Sequence, residues 1–366
     1  MRSVLQKGVE LAPRTTLGVG GPARFFIEAE DELSVIEALD WARSEGLPVV
    51  VLGGGSNMLI ADRGLEALVL RIGIRGITTL IEGDAITLTA GAGEPWEPLV
   101  ERAVVNGWAG IECLSGIPGD TGAAPIQNVG AYGQEVAETI TRVRAIDRAS
   151  GSIVEFDNAA CRFGYRDSIF KREAKDRYAV VGVTFALRRG GTPTVRYAEL
   201  ERRLASAGGA ASLAAVRDAV LALRRSKSML LDPDDENGRS AGSFFMNPVV
   251  SEAAFASIKA RIEEARALAP GETIPSFPAE GGLVKLSAAW LIERAGYRKG
   301  TSDGQVGLST RHALAVVNRG GASAAAIVAF TTRIKLAVEE RFGVRLVPEP
   351  ALLGFAPYEI ADLVKA

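Results

Sequence analysis

Apolar positions along the chain switch repeatedly between a helical and a strand period. Residues 31–46 (DELSVIEALDWARSEG) read as an amphipathic helix with Leu33, Ile36, Leu39 and Ala42 on one face. LPVVVLGGGSN follows, a β-branched strand that runs straight into a glycine turn. The pattern predicts strands at 65–72 and 86–93 and a helix at 96–108. Residues 143–156 read as a hairpin around Ser150–Gly151, and 178–189 (YAVVGVTFALRR) as a strand. Beyond a GGTPT turn, 195–227 alternates helix with small-residue linker, and AGGAAS (207–212) is of low complexity. A second compositional unit begins near 225. It holds a proline- and acid-rich loop (DPDDENGRSAG), helices at 251–268 and 285–296, a strand at 312–318 and a long helix at 322–342. Interleaved strands and helices without internal repeats give an α+β class.

Composition narrows the function classes. Apolar residues make up 47% and charged residues 23% of the 366 positions, enough for a sizeable core without disulfide staples. A net charge of −2 lacks the basic field of a nucleic-acid binder, and no Lys/Arg block suggests a membrane surface. No apolar run reaches the roughly 18 residues of a membrane span, and MRSVLQKGVELAPRTT lacks the apolar core of a signal peptide. Two cysteines, Cys113 and Cys161, fit a reducing cytoplasm and read as buried small hydrophobes. A single histidine, His312, argues against a His-rich metal site and a Ser-His-Asp hydrolase. No metal is expected.

Three polar islands stand far apart: CRFGYRDS (161–168), AGSFFMNP (241–248) and LVPEP (346–350). Burying Arg166, Asp167, Ser243 and Glu349 is costly unless they find partners, so one site assembled by the fold is the economical reading. Two glycine-rich stretches add to this. In VVVLGGGSN (49–57), consecutive glycines let backbone N–H groups approach an anion, although a tight turn after a buried strand reads equally well. It is neither a GxGxxG nor a P-loop motif. SGIPGDTGAAPIQNVGAYGQE (115–135) is too apolar for an ordinary surface loop and suits a flat ligand cradled by backbone. Ser243 reads either as a turn residue or as a proton donor. Glu349, between Pro348 and Pro350, is biased to extended backbone and reads as a solvated loop residue or a site residue. Arg166 reads as a partner of Asp167, a helix cap or a site cation. From the residues alone, the chain is a cytosolic dinucleotide-binding enzyme.

LGVGGPARF (17–25), VLGGGSNMLIAD (51–62), SGIPG…GAAPIQNVGAYGQE (115–135), CRFGYRDSIFK (161–171), AGSFFMNPVV (241–250) and VKLSAAWLIERAG (284–296) together resemble the MurB family, the UDP-N-acetylenolpyruvoylglucosamine reductases of peptidoglycan synthesis. The match runs in order over nearly the whole chain. The resemblance implies an FAD-binding fold of the vanillyl-alcohol-oxidase/PCMH type followed by a smaller α+β substrate-binding domain. The boundaries expected from it are 1–73 (joined by 350–366) and 74–223 for two FAD-binding subdomains, and 224–349 for the substrate domain. It implies NADPH-dependent, FAD-mediated reduction of UDP-N-acetylglucosamine enolpyruvate to UDP-N-acetylmuramate, with FAD bound non-covalently. Localisation is expected to be cytoplasmic and the enzyme a monomer, with no nucleic-acid or membrane partner.

Carried over by motif, the catalytic residues are Arg166, Ser243 and Glu349. Cofactor contacts fall on Gly53, Gly54, Gly55, Ser56, Asn57, Ser115, Pro118, Gly119, Gly122, Asn128, Gly130, Ala131, Tyr132 and Arg224. Substrate contacts fall on Tyr165, Tyr197, Lys227, Asn247, Lys285 and His312, and TVRYAELERRL (194–204) resembles the tyrosine loop of type I members. Met246, Thr121 and Pro350 depart from the commoner family residues without removing a reactive group. The rival readings are a flavin oxidase or dehydrogenase of the same fold with another substrate, and a flavin-binding module without turnover.

Overall fold

The computed structural model describes residues 3–206 and 211–365, so most of the AGGAAS stretch lies outside the described residues. The chain divides into two compact units. One comprises 1–9, 23–55 and 66–231, the other 10–22, 56–65 and 232–366.

Two larger sheets form the body of the first unit. In the smaller, strands run in the order Gln6–Glu10, Pro22–Ala29, Leu65–Ile72 and Val49–Leu52, the last two parallel. In the larger, antiparallel sheet the order is Ile153–Asp157, Ile140–Asp147, Tyr178–Arg189, Ala85–Gly91 and Ile77–Glu82, with Trp108–Ala109 against the end of Tyr178–Arg189. Tyr178–Arg189 is central, so Ala179–Phe185 is buried on both faces. That is why its sequence reads as an unbroken apolar run rather than an alternation. Trp96, from the helix Trp96–Val105, packs on Phe185 with centroids 5.8 Å apart. The predicted hairpin forms, with Gly151 at φ +71° in its turn.

The helix Glu32–Ser44 starts where Asp31 accepts the Ser34 amide at 2.7 Å, an N-cap that satisfies one of the first orphan donors. Its buried face matches the expected one only in part. Val35, Ala38, Leu39 and Ala42 are buried while Leu33 is 43% exposed. A strict three-residue step drifts about 60° per step on a 3.6-residue helix, so a stripe that starts at Leu33 has crossed to the other side by Ala42.

In the second unit, an antiparallel sheet orders Ser240–Ser243, Ala315–Asn318, Val306–Leu308 and Ser302–Asp303. A three-stranded sheet orders Val249–Ser251, Leu283–Leu286 and Ser276–Ala279. The expected helix at 285–296 is therefore shorter: Lys285 and Leu286 are strand, and the helix Ala288–Arg294 begins at an N-cap on Ser287. The long helix Ala324–Phe342 is capped by Ser323 and ends at Gly343, whose φ of +70° suits a residue without a Cβ. Its Ile327, Phe330, Ile334, Val338 and Phe342 share a core with Leu291, Ile292 and Phe244. The strand Ala351–Leu353 pairs in parallel with Met58–Ile60.

Candidate active site

In the first unit the two glycine-rich stretches meet. Val49–Leu52 ends at Gly53–Gly55, and a Cβ built on Gly54 lies 2.7 Å from the Gly119 Cα. Only a residue without a side chain permits that backbone-to-backbone approach. The 115–132 stretch is held to residues 92–96 by Trp96 N to Gly119 O (3.0 Å), Thr121 N to Glu94 O (2.8 Å) and Gly122 N to Ala92 O (2.8 Å). Asp120 is buried and paired with Arg71, which gives its carboxylate a counter-charge.

Two expected cofactor contacts use their side chains within the fold. Ser115, fully buried, donates its hydroxyl to Glu112 O at 2.7 Å. Asn128 is 1% exposed; its amide donates to Glu135 Oε2 (2.7 Å) and Gly164 O (2.9 Å), and its oxygen accepts the Ala137 amide (3.0 Å). Both therefore shape the stretch and leave its backbone to make contacts.

Arg224 stands in the last turn of the helix Leu213–Ser226, 7% exposed. One guanidinium nitrogen donates to Met229 O at 2.7 Å, while Nε has no partner among the described residues and lies 3.1 Å from a Cβ built on Gly116. Burial holds its pKa below the ordinary guanidinium value. A buried donor left over beside a glycine loop fits an anionic cofactor such as a dinucleotide, whose phosphate oxygens would accept from it. Tyr132 packs edge-on against Tyr197, centroids 5.5 Å apart, and burial pushes its phenol up to about 12, Arg224 opposing. Lys227 is paired with Glu199 at 2.5 Å.

Arg166 lies in a tight turn in the same unit. Gly164 and Asp167 exchange backbone bonds of 3.0 and 3.1 Å, and Arg166 has φ +54°. Its guanidinium donates to Gly130 O at 2.6 Å and stands over the Tyr165 ring at 5.4 Å. Ser168 fastens the next residues by donating to Ile126 O at 2.5 Å. The motif that carries Arg166 is thus tied to the 115–132 stretch.

The second unit brings Ser243 and Glu349 together. Ser243 closes the strand Ser240–Ser243, opposite Ala315 and after Gly242 at φ +75°. Phe244 and Phe245, each 1% exposed, anchor the following residues in the core. The LVPEP segment runs alongside: Met246 N to Val347 O (3.0 Å), a bridge between Phe245 and Pro348, and Glu349 N to Phe244 O (2.9 Å). Asn57 bonds the other side of this segment through Ala351 N to Asn57 O at 3.0 Å. Asn247 accepts the Ala288 amide at 2.9 Å, Lys285 pairs with Val249 and Phe277 in the three-stranded sheet, and His312 starts the turn into Ala315–Asn318. Lys171, which sequence reading left without a part, donates its ammonium to Arg166 O at 2.8 Å. Its signal was its place in the same motif, five residues after Arg166.

Matches to known families define a class for this fold and site: an oxidoreductase with an FAD-binding domain followed by a second α+β domain. The FAD binding domain family matches residues 23–157, and the C-terminal domain of UDP-N-acetylenolpyruvoylglucosamine reductase matches 232–353. A UDP-N-acetylenolpyruvoylglucosamine reductase of Thermobifida fusca is 46% identical over 97% of this chain and 99% of its own. One from Streptomyces coelicolor is 46% identical over 94% and 89%. The crystal structure of MurB from Thermus caldophilus superposes with a TM-score of 0.64 at 25% identity, covering 96% of this chain and 99% of that one. The chain belongs to the UDP-N-acetylenolpyruvoylglucosamine reductase family. No helix among the described residues is long and apolar enough to cross a membrane.

Proposed function

We propose that the protein reduces UDP-N-acetylglucosamine enolpyruvate to UDP-N-acetylmuramate with NADPH as reductant, in the cytoplasm and as a monomer, supplying peptidoglycan precursor. The observation that carries the reading is the pairing of two remote segments, which makes Ser243 and Glu349 neighbours through the bond from Glu349 N to Phe244 O. When bound, FAD would supply the hydride-transfer chemistry that links NADPH to the enolpyruvyl group. Backbone of Gly53–Asn57 and of the 115–132 stretch, with Arg224, would hold that cofactor.

Adding hydride at C3 builds negative charge at C2 that spreads onto an already anionic carboxylate. Arg166 offsets that charge, an oriented cation in a dry site being worth several kcal/mol. Ser243 gives its hydroxyl proton to C2; serine is a weak acid, but the carbon is a stronger base. Glu349 assists either protonated or through a shared donor, since a bare carboxylate would repel the intermediate. Tyr165, Tyr197, Lys227, Asn247, Lys285 and His312 bind the UDP-sugar. Lys227 has to exchange Glu199 for a phosphate, which makes its contribution to affinity salt-sensitive.

The test is anaerobic. The NADPH-reduced yellow protein is mixed with UDP-N-acetylglucosamine enolpyruvate, and separately the oxidised protein with small alcohols. Rapid reoxidation by the first, and no bleaching by the second, supports the reading; the reverse pattern assigns another flavoenzyme specificity.

A further inference from the structure

The motif CRFGYRDSIFK ends in Lys171, to which the reaction above gives no part. Lys171 reaches back to the main chain of Arg166, where its ammonium donates to the carbonyl at 2.8 Å. Arg166 is a non-glycine residue in the left-handed region, a conformation that persists only where its surroundings over-determine it. The reciprocal bonds between Gly164 and Asp167 close the ends of the turn. Of the peptide between Arg166 and Asp167, the N–H goes to Gly164 O and the carbonyl accepts from Lys171. Without Lys171, that carbonyl loses this hold, and ψ of Arg166 is less firmly set. The guanidinium would then keep its far-end bond to Gly130 O at 2.6 Å but lose the control exerted from its own backbone.

Two neighbouring contacts act on other residues. Ser168 and Arg172 hold residues on the C-terminal side, through Ile126 O and the Asp167 carboxylate at 3.2 Å. A half-buried carbonyl alone does not need a lysine, because water would satisfy it without the lost rotamer freedom of a long side chain. We infer that Lys171 is a positioning residue, which clamps the strained turn and thereby sets the direction of the Arg166 guanidinium. The inference rests on the part given to Arg166 in the proposed reaction.

The experiment uses the full-chain flavoprotein as wild type, Lys171→Met, which keeps the side chain's bulk and loses the donor, and Lys171→Arg, which keeps a cationic donor. Flavin content, thermal midpoint, KM for the enolpyruvyl substrate, product affinity by calorimetry and the two anaerobic half-reactions are measured. We expect K171M to keep its flavin, midpoint, KM and rate of reduction by NADPH. Its reoxidation by UDP-N-acetylglucosamine enolpyruvate should slow by ~10- to 100-fold, the range a misplacement of about 1 Å produces. K171R should recover to within a few-fold of wild type. Wild-type reoxidation with an unimpaired K171M overturns the inference alone. K171M losing midpoint, flavin or both half-reactions together also overturns it, leaving a scaffold role, as does K171R behaving like K171M. A wild type that the substrate does not reoxidise removes the reaction reading and the inference with it.

Discussion

Gly54 and Gly53 are adjacent glycines of one turn, and the structure assigns them opposite tolerance. A Cβ on Gly54 meets the Gly119 Cα at 2.7 Å and its carbonyl carbon at 3.2 Å, both backbone atoms without a rotamer to move. A Cβ on Gly53 meets only the Asp120 carboxylate at 3.9 Å and the Ala123 Cβ at 4.0 Å, ordinary contacts. Restoring ordinary contact in Gly54→Ala requires the two loops to part by about 0.7 Å, and overpacking of that kind costs about 1–3 kcal/mol. The 115–132 stretch is bonded to residues 92–96 at three points, so it yields little. If the loops part only when the cofactor is absent, the whole cost falls on binding and FAD affinity drops by about 5- to 150-fold. Otherwise the thermal midpoint of the apoprotein falls by some degrees. The assay is flavin titration of both apo variants by fluorescence quenching, with thermal unfolding alongside. G53A should keep the apoprotein midpoint, and G54A should lose FAD affinity, midpoint or both. G54A with wild-type affinity and midpoint would refute the argument from close approach.

Further outcomes follow from single groups. Asp120→Ala leaves the half-buried Arg71 without this partner, and a loss of about 1–3 kcal/mol is expected in denaturant unfolding. Glu272, bonded by Trp290 Nε1 and the Arg294 guanidinium, has its carboxyl lowered from 4.5 to about 2. Its stabilisation is therefore full above about pH 4.5 and fades as pH falls towards 2, so the midpoint gap between wild type and Glu272→Gln should shrink over that window. Burial pushes the Cys113 and Cys161 thiols up to about 12, so neither should react with a disulfide reagent at pH 8 until the protein is unfolded.

What sequence made legible depended on how local the cause was. Tyr178–Arg189 was readable because burial of Ala179–Phe185 on both faces leaves a nearly unbroken apolar run, and Leu65–Ile72 because apolar residues dominate it despite Glu66 and Arg71. The turn at Gly53–Gly55 announced itself through three glycines, yet which one is irreplaceable was hidden, since the constraint on Gly54 comes from Gly119, far along the chain. Leu33 was misplaced because a strict three-residue spacing drifts around the helix, so Leu33 and Ala42 cannot share a buried face. Lys285 and Leu286 were read as helix because apolar spacing there suits both periods; pairing with Val249 and Ser276 decided for strand. Family motifs pointed to Ser243 and Glu349, and their adjacency was invisible because backbone bonds between distant segments carry no sequence mark. The internal use of Ser115 and Asn128 was equally hidden, since a buried polar side chain and a ligand-facing one look alike in a sequence.

The central claim is that Ser243 delivers the proton that completes reduction of the enolpyruvyl group. The most direct measurement is anaerobic stopped-flow absorbance at the flavin band for wild type and Ser243→Ala, each reduced with NADPH and mixed with UDP-N-acetylglucosamine enolpyruvate. Loss of a positioned general acid predicts reoxidation slower by at least ~10²-fold, with reduction by NADPH unchanged. Reoxidation of the alanine variant at the wild-type rate would contradict the account.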